Sequence, residues 1–190
     1  GLNYSVVDMT LAGGLGSVTN KNINLLALCT EKISAVIKDC VTKSIWVVTL
    51  ASESGNLGPV NSYHAFEVNN SGVNTTPVTS TFNNLSVFDN RGYLKLSPDG
   101  NVLASANVQG GLYIYDFDSA TGIVSNQQQL YINSSSNLPY GVEFSPNSQL
   151  LYVHSSNDFF DPSNQDEANN PANHSSTLTQ FNLRAPNIQA

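Results

Sequence analysis

Residues 92–123, GYLKLSPDGNVLASANVQGGLYIYDFDSATGI, are broken so often that only short antiparallel strands fit between the breaks. Ser97-Pro98-Asp99-Gly100 has type I turn chemistry. Serine suits the first position, proline presets φ at the second, and glycine suits the fourth. Residues 93–96 and 102–105 are the strands on either side. Gly110-Gly111 ends the second strand, residues 112–117 make a third, and Asp118-Ser119-Ala120-Thr121-Gly122 turns the chain again. Strand, tight turn, strand, short loop, strand predicts a β-meander.

The meander recurs. Ser145-Pro146 repeats Ser97-Pro98, and residues 140–153 overlay the first two strands. Residues 177–183 overlay the third, with Phe181 under Tyr115. A weaker copy lies upstream, in residues 44–48 and 63–68, with Phe66 in the same place. A sheet-forming repeat of roughly 40–50 residues is the sequence signature of a β-propeller blade. The expected fold is therefore all-β, with about three four-stranded antiparallel blades and a lead-in. The repeats fall near residues 25–80, 88–132 and 138–190 of one segment, 1–190, and residues 157–176 are a loop insertion in the last. A propeller closes on itself, so the blades are expected to belong to a larger ring in a longer chain. Three blades alone should leave sheet faces uncovered and should not make a stable monomer.

The lead-in reads less clearly. Residues 4–9 alternate as a strand, and Leu11-Ala12-Gly13-Gly14-Leu15-Gly16 is a glycine-rich loop. A nucleotide cradle would need a following helix with the G-x-G-x-x-G spacing, or a Lys-Ser/Thr pair, and neither is present. The loop reads as an inter-strand connection. Residues 24–28 read as a short apolar strand, and residues 23–29 are the best helical candidate in a chain with almost no helical period. Residues 33–37 open a blade. Residues 45–50 form a continuous apolar run, as in a strand covered on both faces, which puts Trp46 in the core.

Charge narrows the function. The formal net charge is −7 and only 11% of residues are charged. Nucleic-acid binding needs a basic face to neutralise phosphates, and so does docking to an anionic membrane surface. No apolar run approaches the roughly 20 residues that span a bilayer. No spacing brings two acids together for glycoside hydrolysis or assembles a Ser-His-Asp set.

Two clusters are candidate sites. The insertion carries Asp158, Asp161, Asp166 and Glu167, a set of oxygen ligands for Ca²⁺, although the spacing is not that of an EF-hand. A solvated acidic loop is the alternative. Phe159 and Phe160 sit among the acids as a contact patch or as an anchor. Tyr113, Tyr115 and Phe117 share one strand face, which suits either sugar stacking or packing between sheets.

The order of these motifs resembles a known family. Asn3-Tyr4-Ser5-Val6-Val7-Asp8-Met9, Gly13-Gly14-Leu15-Gly16 and Lys21-Asn22-Ile23 resemble the start of a propeller in large secreted Bacteroidetes surface proteins. Cys29-Thr30-Glu31-Lys32, Trp46-Val47-Val48-Thr49, Gly92-Tyr93-Leu94-Lys95, Tyr115-Asp116-Phe117-Asp118 and Tyr140-Gly141-Val142-Glu143-Phe144 continue the likeness. Where that family usually carries His after Trp-Val-Val-Thr, this chain has Leu50. The resemblance implies a seven-bladed, WD40/YVTN-like propeller at the N-terminal end of a type IX secretion substrate with a type B sorting domain. Many such proteins are labelled gliding-motility-associated. It implies a non-enzymatic interaction or adhesion scaffold that is secreted to the cell surface. Its partners would be the remaining blades or domains of the same polypeptide, the type IX secretion machinery, and a surface glycan or protein. A YVTN/lactonase-like enzyme with its site on the central axis is the alternative, as is a carbohydrate-binding propeller. No cofactor is expected beyond the candidate Ca²⁺. In an exported chain the lone pair Cys29 and Cys40 is expected to form a disulfide, the alternative being two buried reduced cysteines that act as small apolar residues. Asp118-Ser119-Ala120 also resembles a Bacteroidetes O-glycosylation sequon.

Overall fold

A computed structural model describes residues 1–132, 137–157 and 170–189. The fold is all-β, in several antiparallel sheets, with only short 3₁₀ turns besides among the described residues. The chain begins with a hairpin of β1 (Leu2–Asp8) and β2 (Ser17–Leu26). Sheet I follows, with β3 (Cys29–Asp39), β4 (Ser44–Ser52), β5 (Val60–Asn69) and β6 (Gly72–Val73) in spatial order, and β7 (Val78–Thr81) also paired with β5. Sheet II is β8 (Leu94–Leu96), β9 (Val102–Asn107), β10 (Gly111–Asp118) and β11 (Ile123–Leu130). Sheet III is β12 (Leu138–Phe144), β13 (Leu150–Ser156) and β14 (Ser176–Asn182).

The three sheets stack, with sheet II in the middle. Successive side chains of a strand point to opposite faces, so β9, β10 and β11 divide their residues between two cores, while β8 gives Leu94 and Leu96 to the first. Leu94, Leu96, Leu103, Tyr115 and Phe117 meet Trp46, Val48, Leu50 and Tyr63 of sheet I. Ala104, Ala106, Leu112 and Ile114 meet Val142, Phe144, Leu151, Val153 and Phe181 of sheet III. Tyr115 packs its ring 4.9 Å from both Tyr63 and Phe82. The aromatic stripe on β10 is thus packing between sheets, with Tyr115 and Phe117 only 1% and 3% exposed.

Trp46 fastens sheet I to the β10–β11 turn. It is buried, and its indole Nε1 donates to the Ser119 carbonyl at 2.7 Å. The ring lies over Gly122, where φ is +79° and a Cβ would stand 2.9 Å from the indole. Lys38 Nζ sits 4.6 Å above the ring and pairs with Glu67 at 2.9 Å.

The repeated turns match hydrogen bond for hydrogen bond. Ser97 Oγ donates to Asp99 Oδ1 at 2.6 Å and accepts from Val102 N at 2.9 Å. Ser145 Oγ donates to Asn147 Oδ1 at 2.7 Å and accepts from Leu150 N at 2.9 Å. Gly100 takes φ +74°, and Ser148, its counterpart, takes φ +57°. The two turns are joined directly, because Asp99 N donates to Ser148 Oγ at 3.1 Å.

Three expectations need correction. Only sheet II has four strands among the described residues; sheet I has five and sheet III three. The short apolar strand expected at 24–28 is the end of a ten-residue strand, β2, and the helical candidate 23–29 is extended. That hairpin exposes most of both faces, so neither face carries the apolar alternation that would mark it. The third concerns Cys29 and Cys40, whose thiols are free. Cys29 begins the 11-residue strand β3 and Cys40 follows its last residue, so the length of the strand separates them. At ~3.3 Å per residue their Cα atoms stand on the order of 30 Å apart, against the ~7 Å limit of a disulfide.

Candidate functional site

The described residues converge most notably where the first strands of the three sheets meet. β3, β8 and β12 each form one edge of their sheet. On β3, Lys32, Ser34 and Val36 turn toward sheet II, and Ser34 Oγ accepts from Leu96 N at 3.0 Å. Lys32 is locked by its own backbone. Its N–H donates to Thr30 Oγ1 at 3.3 Å and its carbonyl accepts from Thr49 Oγ1 at 2.7 Å. The side chain is 2% exposed. Its ammonium donates to the Asn90 carbonyl at 3.3 Å, the one acceptor in reach among the described residues. Burial pushes the Lys32 amine down to about 8, although the charges of Glu31 and Asp89 pull the other way.

Gly92 allows the strands to come this close. Its φ is +131°, and a Cβ there would lie 2.1 Å from the Ala106 carbonyl oxygen and 3.1 Å from Lys32 Cε. Any side chain would therefore clash with β9 and press on the lysine stem. The bare Gly92 N–H donates to Glu31 Oε1 at 3.0 Å, and the same oxygen accepts from the Tyr140 hydroxyl at 3.2 Å. One carboxylate of sheet I thus ties sheets II and III together. Just upstream, Asp89 takes Arg91 in a forked pair, with Nη2 to Oδ2 at 2.6 Å and Nε to Oδ1 at 3.0 Å. That guanidinium holds the Asp89 carboxyl below the usual carboxylate range.

Glu31, Lys32 and Gly92 help line an open cavity of about 380 Å³. Lys32 and Leu94 are its buried lining, and Glu31 and Ile33 stand beside them on β3. Tyr93, 52% exposed, and Tyr140 complete it, with ring centres 5.5 Å apart at 60°. The site offers hydrogen-bond donors from an amine, an acceptor carboxylate and two aromatic faces. That combination orients a small polar ligand and fits the low end of the ~300–1,000 Å³ typical of ligand pockets.

The residues singled out in the sequence lie elsewhere. Asp158, Asp161, Asp166 and Glu167, with Phe159 and Phe160, fall outside the described residues. Among the described residues no group of three or more His, Cys, Asp or Glu side chains could hold a metal ion. Asp118 closes the β10–β11 turn by accepting from Ala120 N at 2.9 Å and Thr121 Oγ1 at 2.7 Å, with Ser119 partly exposed between them. His64 is a satisfied core residue, with Nε2 2.8 Å from the Ser52 carbonyl and Nδ1 3.3 Å from Thr79 Oγ1. Sequence reasoning missed Glu31, Lys32, Gly92, Tyr93 and Tyr140 as a group. The repeat does place the last three near the starts of matching strands, which was the available signal.

No protein-family model matches the chain, and no curated protein matches it. Among solved structures it is similar to a chain of the Kuenenia stuttgartiensis hydrazine synthase, at 10% identity and a TM-score of 0.40. The match covers 94% of this chain and 56% of that one, so this chain spans just over half its length. A likeness that distant carries no argument about activity.

Proposed function

We propose that the chain is a run of β-propeller blades serving as a non-enzymatic binding module of a secreted cell-surface protein. One observation carries the reading: three meander-built sheets stack face to face and bring their first strands, β3, β8 and β12, to one cavity. Innermost strands converging on a common axis are what a propeller requires. The outer face of sheet I supports continuation of the ring. Ile33 and Ile37 are 53% and 59% exposed there, beside Ala35, so the face has apolar surface for another sheet to cover. The secreted setting, the type IX route, the adhesion role and the seven-blade count rest on the family resemblance. The further blades of the same polypeptide are the partner that fits the uncovered face.

Light scattering and dye binding on residues 1–190 test the ring. The expected result is self-association, or binding of a hydrophobic dye at the sheet I face. A monomer that unfolds cooperatively and binds no dye would sink the ring reading.

A further inference from the structure

We propose that the cavity between β3, β8 and β12 binds a neutral saccharide ring, held by Lys32 and Glu31 and stacked on Tyr93. The proposal deepens the reading of the chain as a binding module and rests on it. The first argument is hydrogen bonding. A lysine ammonium has three donors and no acceptor, and Lys32 spends only one donor on a protein carbonyl. A buried donor left without a partner is unfavourable, so the site calls for an acceptor from a ligand. Beside it, Glu31 uses Oε1 for Gly92 and Tyr140, and a carboxylate has further acceptor capacity at its second oxygen. Adjacent donors and acceptors of this kind suit hydroxyl groups, which both donate and accept.

The second argument is charge. The positive charges at the site already feel carboxylates, Lys32 through the fields of Glu31 and Asp89 and Arg91 through its forked pair with Asp89. The chain as a whole carries −7. A free anion would meet an unfavourable field and would have to displace Glu31. A cation would meet the Lys32 ammonium. A neutral polyhydroxylated ligand avoids both penalties.

The third argument is shape. Tyr93 is a half-exposed aromatic on the cavity wall. The C–H face of a sugar ring is apolar and packs on such a surface while its rim hydroxyls reach polar groups. Gly92 packs its bare backbone against Ala106 and the Lys32 stem, so no side chain projects from that position into the cavity. The volume of about 380 Å³ suits a small ligand of one or two rings.

Saturation-transfer NMR and calorimetry on residues 1–190 read the outcome. The probes are neutral methyl glycosides of glucose, galactose and mannose, the corresponding disaccharides, and glucuronate as the anionic control. At least one neutral glycoside should bind at millimolar concentration or below, and glucuronate should bind more weakly. Tyr93→Ala and Lys32→Met should each weaken binding about tenfold or more, the loss of one stacking face or one charge-assisted bond. Should Lys32→Met fold poorly, Glu31→Gln, at an exposed position, reads the same hydrogen-bond set. Binding of none of the neutral probes, preference for glucuronate, or binding unmoved by Tyr93→Ala together with Glu31→Gln would each overturn the proposal. The outcomes separate from those for the ring. A dye-free monomer that binds a glycoside sinks the ring alone, and a self-associating chain that ignores every neutral probe sinks the site alone.

Discussion

Raising the pH from about 7 to about 9.5 should stabilise this protein, and Lys32 is the reason. Its side chain is 2% exposed, it meets one carbonyl, and burial lowers its pKa from 10.5 to about 8. In the unfolded chain the ammonium keeps its proton to about 10.5. Between these two values the unfolded state binds more protons than the folded one, so stability rises with pH across that window. Below pH 8 the charge is present in both states, and the fold bears the full desolvation penalty. The gap between 10.5 and about 8 corresponds to about 3 kcal/mol at the high-pH limit. About 2 kcal/mol of it should be recovered by pH ~9.5. Tyr63 and Tyr115 work in the opposite direction at higher pH. Burial raises both above the usual phenol value, so ionisation of the unfolded tyrosines lowers stability above about pH 10. The assay is urea unfolding followed by the fluorescence of the single tryptophan, at half-unit steps between these limits. Lys32→Met keeps the apolar stem and removes the titrating group. Its curve should be flatter in the window and should lie above the wild type at pH 7, so the difference between the proteins isolates the lysine. Parallel curves for the two would mean that the ammonium is solvated, and that neither its burial nor its need for a ligand acceptor is as described.

Four other outcomes follow from the packing. Gly92→Ala should destabilise by about 3 kcal/mol or more in the same assay, because a Cβ 2.1 Å from the Ala106 oxygen adds a clash to an unfavourable φ. Trp46→Ala should lose about 3–5 kcal/mol, and iodide should quench the wild-type indole poorly in the folded state, given 4% exposure. Ser97→Ala should cost about 1–3 kcal/mol by leaving Val102 N and Asp99 without their partner, and Ser145→Ala should cost less at its more exposed turn. Under denaturing, non-reducing conditions both cysteines should alkylate, since the thiols stand at opposite ends of β3.

The meander strands were legible because their breaks are local. Ser97-Pro98-Asp99-Gly100 and Ser145-Pro146-Asn147-Ser148 each make their own turn with hydrogen bonds inside a few residues, so the sequence pattern and the geometry coincide. Trp46 was legible as core for a similar reason, since it sits in a continuous apolar run. The β1–β2 hairpin was not, because a strand wet on both faces carries no hydrophobic period. The disulfide expectation failed on length, once the strand thought to begin at 33 proved to start at Cys29 and hold the two thiols apart. The cavity was the least legible part. Glu31 and the Tyr140 hydroxyl that binds it lie 109 residues apart in sequence, and Glu31 and Gly92 lie 61 apart. No local pattern relates them. Only the stacking of sheets brings them together, and Lys32 looks like any lysine at the start of a strand until its surroundings are known.

The order of strands within the sheets has a consequence for how the chain acquires its fold. In sheets II and III each strand pairs with the next in sequence, across turns such as 97–101, 108–110 and 145–149. Loop closure over so few residues is entropically cheap, so sheet II and the β12–β13 hairpin of sheet III can nucleate from their own segments before distant parts meet, whereas β14 joins across the longer 157–175 connection. Docking then proceeds between neighbours, sheet II onto sheet I and sheet III onto sheet II, in the same direction as synthesis. The Glu31–Tyr140 contact spans all three sheets and closes only when the third has docked. The cavity therefore forms only after the third sheet has docked, and its occupant reports on chains in which these three sheets have come together.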